Sequence, residues 1–262
     1  MFLYAGQHIY KLAGACTGLL TQEVEVRYPL RSCTLLAALV AAGPLCAQAV
    51  PGPLHDSMRN LLTYYYLKPE PSRIPGALVY YAGVFGTSRF HQFVLGQFFA
   101  TAIREHPEIQ QRLVDALATE SQPAKLMGAH VLYLVDTDSA RHLLHKAEVL
   151  WADETVTSAI ERLLTSPPPD LDGEVTEVSM IDMLWARFNA SGHAQPVEKI
   201  AKHVGDAISM NTVGGYARWS LISNIRQHGR VREIVEHLIS TVGEAHKRHL
   251  EEVLVEALRK QP

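Results

Sequence analysis

Cysteine is scarce and confined to one end of the chain. There are three, Cys16, Cys33 and Cys46, and none follows in the remaining sequence. So few, so placed, exclude a disulfide scaffold and thiol catalysis in the main body. Nor is there an apolar run of the ~18 residues that a membrane-spanning helix needs. Neither sign of charge dominates, with 24 Lys and Arg against 27 Asp and Glu and a net charge of −3. That balance removes the electrostatic footprint of a nucleic-acid binder. Signatures of common chemistries are missing too: no G-x-S-x-G nucleophile elbow, no phosphate loop, no G-x-G-x-x-G and no H-E-x-x-H. Alternating apolar and polar residues, the mark of a half-buried strand, are hard to find.

What is present begins with the first fifty residues. Arg27 and Arg31 precede an apolar core over 33–46, broken near its end by Gly43-Pro44 and followed by Ala47-Gln48-Ala49. Charge, a short apolar core and an A-x-A site in that order are the three parts of a secretory signal peptide. The expectation is cleavage after Ala49, giving a periplasmic or secreted chain from Val50 onward. The stretch before Arg31 lacks a clear period and reads as an upstream extension, with translation starting at a non-AUG codon at Val24, Val26 or Leu30. Gly43-Pro44-Leu45 before Cys46 lacks the small residue of a lipid-anchoring site, so no stable membrane insertion is expected after cleavage.

After Gly52 the apolar residues fall almost everywhere at helical spacing. Leu95, Phe98, Phe99, Ala102 and Ile103 follow i, i+3, i+4, i+7, i+8. Ile181, Leu184, Trp185 and Phe188 do so as well, as do Val231, Ile234, Val235, Leu238 and Ile239, and then Leu250, Val253, Leu254, Ala257 and Leu258. Each stripe predicts one buried face of an amphipathic helix. The run Ala77–Tyr81 also fits a helix better than a strand. Asp136-Thr137-Asp138-Ser139 offers caps for a helix running through His142 to Leu150, and Asp153 or Thr155 can cap the next. Pro167-Pro168-Pro169 with Asp170, Asp172 and Gly173 predicts a linker over 167–173, dividing one domain, 50–262, into packed halves 50–166 and 174–262.

Two segments, FFATAIREHPEIQQRLVDAL at 98–117 and WARFNASGHAQPVEKIAKHV at 185–204, share a plan: an aromatic-rich helix, a polar turn, a proline and a second amphipathic helix. That is the helix-turn-helix unit of tetratricopeptide-like solenoids. The uneven spacing of Pro71, Pro107 and Pro196 admits no fixed period. The predicted fold is therefore all-α: an irregular α-solenoid or bundle of antiparallel helix pairs without a strict repeat. A tyrosine-rich helix before P-x-P (YYYLKPEPSRIPGALVYYAG), the FFA-x-x-x-R-x-x-P turn, the pair IDMLWARFNASGHAQPVEKIAKHV and YARWSLISNIRQHGRVREIVEHL, and its W-S-L-x-S-N-x-x-Q-H string carry a resemblance. Across Leu61 to Leu238 the chain resembles a family of small exported bacterial helical proteins. The resemblance implies an all-α fold and export, and brings no activity with it.

Thirteen histidines invite a test for metal. His142, His145 and Glu148 form H-x-x-H-x-x-E on one helix face, and His246 and His249 repeat the spacing between Glu244 and Glu252. The expectation is that these are surface histidines and that the chain carries no metal or cofactor. Ser220 and Ser223 near His228 do not make a triad by sequence proximity. Tyr216 to His228, YARWSLISNIRQH, is the segment to watch. Tyr216, Ala217, Ser220 and Leu221 form one stripe, leaving Arg218, Trp219, Asn224, Arg226 and His228 as candidate binding residues, since Trp and Arg are enriched at hot spots; the structural alternative is that Trp219 packs on a neighbouring helix and Asn224 or Arg226 ties down a helix end. Asn189-Ala190-Ser191 matches a glycosylation sequon and is taken as coincidence. The expected function is a module that holds a protein or peptide of the cell envelope, with no nucleic acid as partner and no catalysis. Two readings stand beside it: a metal-dependent hydrolase built on the helix-borne His and Glu, and a carrier of apolar ligands using Tyr64–Tyr66, Tyr80 and Tyr81.

Overall fold

The computed structural model describes residues 53–86, 88–205 and 209–259. The signal peptide, its cleavage site and the upstream extension expected over 1–49 lie outside these residues. The chain divides into two compact units, Met1–Arg59 and Asn60–Pro262. Of the first, residues 53–59 form the opening turns of a helix, with Arg59 Nη2 2.9 Å from Asp56 Oδ1.

The fold is all-α. Among the described residues there are twelve α-helices and no strand: α1 Pro53–Tyr64, α2 Ile74–Phe85, α3 Arg89–Glu105, α4 Ile109–Leu117, α5 Gln122–Val135, α6 Asp138–Trp151, α7 Glu154–Leu164, α8 Val178–Ser191, α9 Ala194–Ala201, α10 Val213–Gln227, α11 Gly229–Ile239 and α12 Glu244–Leu258. Short 3₁₀ turns at Tyr65–Leu67 and Pro71–Arg73 link α1 to α2. No helix among the described residues is long and apolar enough to cross a membrane. The stripes read from the sequence are the buried faces: Leu95, Phe98, Phe99, Ala102 and Ile103 on α3, Ile181, Leu184, Trp185 and Phe188 on α8. Leu258 departs from its stripe and is half exposed, because it lies at the last residue of α12 and well round the helix from Leu250, Val253 and Ala257.

From α8 onward each helix packs on its neighbour and on the next but one: α8 on α9 and α10, α9 on α10 and α11, α10 on α11 and α12. This is the stacking of helix pairs in a solenoid. The same pattern runs from α4 to α7, with α2 laid across α4 and α5. The most extensive helix–helix contact, α3 against α8, joins the two stacks. The Pro167–Gly173 connector is tied down. Tyr133 Oη donates to the Pro167 carbonyl at 2.6 Å, Lys199 Nζ to the Leu171 carbonyl at 2.7 Å, and Arg187 pairs with Asp172 at 2.9 Å.

Local chemistry sets the helix ends. Thr137 caps α6 by accepting from Ala140 N–H, and Asp153 caps α7 by accepting from Val156 N–H. Two arginines hold the parallel members of each stack. Arg104, in the last turn of α3, donates from Nε to the Val135 carbonyl at 3.1 Å and from Nη2 to the Leu134 carbonyl, at the end of α5. Arg226, in the last turn of α10, donates to the Ala257 carbonyl at 3.0 Å and the Glu256 carbonyl at 2.9 Å, at the end of α12. The final carbonyls of a helix have no partner of their own, and a guanidinium there also meets the negative end of the dipole. Joined C-terminal ends mean that α3 and α5 run in the same direction, as do α10 and α12.

Replacing Arg226 by Leu is expected to lower unfolding free energy by about 1–3 kcal/mol, from loss of two charge-assisted hydrogen bonds. Hydrogen exchange should show the loss first in the amides of α12. The matching change at Arg104 should expose α5 instead. Equal loss in both helices for either variant would refute the local role.

Candidate functional site

A cleft of about 440 Å³ opens where three segments converge: the turn after α1 (Tyr64, Tyr66, Leu67), the end of α8 (Ser191, Gly192), and the corner between α10 and α11 (Gln227, His228, Gly229, Arg230, Glu233). Its size is in the range of sites for small ligands or one to two peptide residues.

Backbone geometry makes the convergence close. Gly192 ends α8 in the left-handed conformation, φ 69°, and its N–H donates to the Phe188 carbonyl at 2.7 Å. A Cβ there would stand 2.9 Å from Tyr66 Cδ2, so glycine is required for conformation and for room. His228 takes an extended conformation that stops α10, its N–H donating to the Asn224 carbonyl. Its own carbonyl accepts from Val231 and Arg232 and starts α11.

The side chain of His228 is 2% exposed and sits among aromatic rings. Tyr64 lies with ring centroids at 5.3 Å, Tyr66 at 5.9 Å, and Phe188 edge-on at 5.8 Å. Tyr66 Oη is 3.2 Å from His228 Nδ1. Burial pushes the imidazole down to about 4, so the ring is neutral at pH 7. Burial likewise raises the Tyr66 phenol, with the neighbouring Tyr64 adding to the effect. At the mouth, Arg230 Nη1 pairs with Glu233 at 3.0 Å, and Leu67 stands 66% exposed.

Of the five residues singled out in Tyr216–His228, only His228 lines this cleft. Arg218 faces α12, 3.0 Å from Glu256 and 3.7 Å from Glu252. Arg226 holds the end of α12. Trp219 is half buried against Tyr216, ring centroids 5.5 Å apart. Asn224 does not stand off the stripe. It is 1% exposed and donates to the Ser220 carbonyl at 2.8 Å, extending the buried face of α10. Asn189 is buried as well, which closes the sequon to modification.

Elsewhere, His142 and His145 are exposed, with His145 Nδ1 3.5 Å from Glu148. No group of three or more His, Cys, Asp or Glu side chains among the described residues is placed to hold a metal ion. Tyr80 and Tyr81 pack edge to face with one another on α2, apart from Tyr64 and Tyr66 in the cleft.

Sequence reading passed over Ser191, Gly192, Gly229, Arg230 and Glu233. One pattern points to this corner. Ile-Arg-x-His followed by Pro or Gly occurs at Ile103–Pro107 and again at Ile225–Gly229. In both copies the arginine ties down a parallel helix and the histidine breaks the chain before the next one.

A second buried ionisable pair joins α8 to α10. Tyr216 Oη donates to Asp182 Oδ1 at 2.8 Å, and burial raises this carboxyl to about 6 against that hydrogen bond. An unfolded Asp titrates near 3.8, so between about pH 4 and 6 the folded chain holds more protons than the unfolded one. Asp182 therefore removes stability as pH rises through that window. His130 and His228, both lowered to about 4 by burial, act oppositely and add stability as pH rises from about 4 toward 6.5. Asp182→Asn keeps an acceptor for Tyr216 without the charge. It should stabilise the protein at pH 7.5 by up to about 3 kcal/mol relative to its effect at pH 4. Chemical denaturation at the two pH values measures this, and an equal effect at both would refute it. No family model matches the chain, and no curated protein and no solved structure is similar to it, so what the cleft does is argued from its own geometry.

Proposed function

We propose that this chain is an exported all-α interaction module that holds a peptide segment of a cell-envelope partner in the Tyr64–His228 cleft. The observation that carries the reading is the meeting of an aromatic floor with two glycines. Tyr64 and Tyr66 offer ring faces over the buried, neutral His228, Gly192 makes room for Tyr66 against the end of α8, and Gly229 leaves the backbone approachable. Stacked helix pairs commonly use such grooves for extended segments. Arg230, Glu233 and Gln227 at the mouth favour a peptide over a purely apolar cargo, which disfavours the carrier reading although two of its tyrosines line the site. Export is part of the proposal and rests on the order of charge, apolar core and A-x-A site, with the family resemblance beside it. Every described element lies after Ala49, so cleavage there removes none of them.

Two measurements test the reading. A Cβ at Gly229 would meet nothing within 4 Å and Gly229 lines the cleft, so Gly229→Trp is expected to occlude it, with an unchanged melting temperature checking that the walls are intact. Peptides selected from a random display library on Val50–Pro262 should bind that chain and lose at least tenfold in affinity for Gly229→Trp. Equal binding to both, or no enrichment, would overturn the site. Intact mass of the protein in osmotic-shock fluid from an expressing bacterium should match Val50–Pro262, whereas a full-length product confined to the cytosol would overturn export.

A further inference from the structure

This fold twice sets a guanidinium at the C-terminal end of a helix. Arg104 meets the carbonyls that end α5, and Arg226 meets those that end α12, each from a neighbouring helix. Three further helices end at the cleft: α1 at Tyr64, α8 at Ser191 and α10 at Gln227, and all three residues line it. Each brings the negative end of a dipole, worth roughly half an elementary charge. The carbonyl of Ser191, the last residue of α8, accepts no backbone N–H among the described residues. Aromatic rings border these ends: Tyr66 lies against Gly192 beyond α8, and Tyr64 against His228 beyond α10. Both tyrosines are half buried, so part of each ring stays on the cleft side.

Positive charge in the lining is smaller. The helix α11 begins there and contributes one positive end. The Arg230 guanidinium, on that same helix, is paired with Glu233 at 3.0 Å. The pair cancels, and three negative ends against one positive end leave a negative potential in the cleft. Negative potential beside aromatic rings suits a cation. It suits a planar guanidinium above all, which stacks on rings while its N–H fork meets oxygens.

We infer, resting on the reading of this cleft as a peptide site, that the residue it selects is an arginine of the partner peptide. The guanidinium lies on Tyr64 and Tyr66 and donates toward the end of α8, as Arg104 and Arg226 do at α5 and α12. An aliphatic or aromatic side chain would use the rings and leave the helix ends unmet. A lysine ammonium would meet the charge and forgo both the stacking and the fork.

The probe pair is Nα-acetylarginine methylamide and Nα-acetylcitrulline methylamide, which differ in the charge on an otherwise isosteric head group. Titrated into the ¹⁵N-labelled full chain, arginine should shift the Gly192 and Gly229 amide resonances and bind at least tenfold tighter than citrulline. Arg230→Gln should tighten arginine several-fold, by removing a like charge and releasing Glu233, and leave citrulline unchanged. Glu233→Gln should weaken arginine several-fold. Tyr64→Phe, which keeps the ring, should bind arginine as the parent chain does, and Tyr64→Leu several-fold more weakly. Equal binding of arginine and citrulline overturns the inference and leaves the peptide reading standing. So do selected peptides that lose affinity for Gly229→Trp yet carry no enriched arginine, and so does tighter arginine binding to Glu233→Gln than to Arg230→Gln. No enrichment in peptide selection, together with no shift from either probe, overturns both readings.

Discussion

The packing of α3 on α8 is the contact on which the rest depends. The helices are far apart in sequence, and their meeting turns two helical stacks into one unit. Phe98 and Phe99 on α3 and Trp185 and Phe188 on α8 are all buried, each removing a large apolar surface from water. The turn after α1 is wedged against the same pair: Tyr65 stands edge-on to Phe98 at 5.6 Å, and Tyr66 tilts against Phe188 at 5.0 Å. Phe188 in turn backs His228. The floor of the cleft is therefore an outgrowth of the core, and its aromatic groups are held by the junction rather than by a mobile loop.

That junction also carries polar groups. Gln97 Nε2, Asn189 Oδ1, Trp185 Nε1 and Tyr65 Oη are buried without a hydrogen-bond partner among the described residues. Leaving such groups unsatisfied costs on the order of 1–3 kcal/mol each. The aromatic and aliphatic burial on α3 and α8 has to exceed that cost for the stacks to stay joined. Close backbone approach helps. At Gly96 on α3 a Cβ would stand 3.0 Å from both His130 and Leu134 of α5, so α5 packs nearer to α3 than a side chain would allow.

The helices were legible in the sequence because burial on one face writes itself as a 3.6-residue period, and the caps were legible only as short runs of acceptors, from which the structure selects Thr137 among 136–139 and Asp153 over Thr155. Arg226 could be read from the sequence either as a binding residue or as a tie for a helix end, and local sequence does not choose, because its partners and those of Arg218 are two carbonyls, Glu252 and Glu256, thirty or more residues away in α12. Local sequence holds no trace of a partner helix. Asn224 was left off the stripe although it continues it one turn after Ser220, since a polar residue on a buried face breaks the apolar count while still lying on it. His228 was found, but its company was not. Gly192 and Gly229 contribute by having no side chain, and the Arg230–Glu233 pair looks like any i, i+3 surface pair until Tyr66 is seen beside it.

The two Ile-Arg-x-His corners show how one scaffold solution becomes a site. At both, arginine secures the parallel helix and histidine ends the inner one. At the first, His106 is only half buried, its Nδ1 turns to Glu108 at 3.4 Å, and Pro107 fills the position after it. At the second, that position is Gly229, where a Cβ would meet open space, and Tyr66 takes the place of an acidic partner at Nδ1. At the second corner a phenol faces Nδ1, and burial keeps the His228 ring neutral. Replacing proline by glycine restores an N–H at the head of α11 and clears the space in front of it. The same corner thus passes from a turn closed by proline to one that borders a cleft, without altering the arginine clamp that keeps the helices in register.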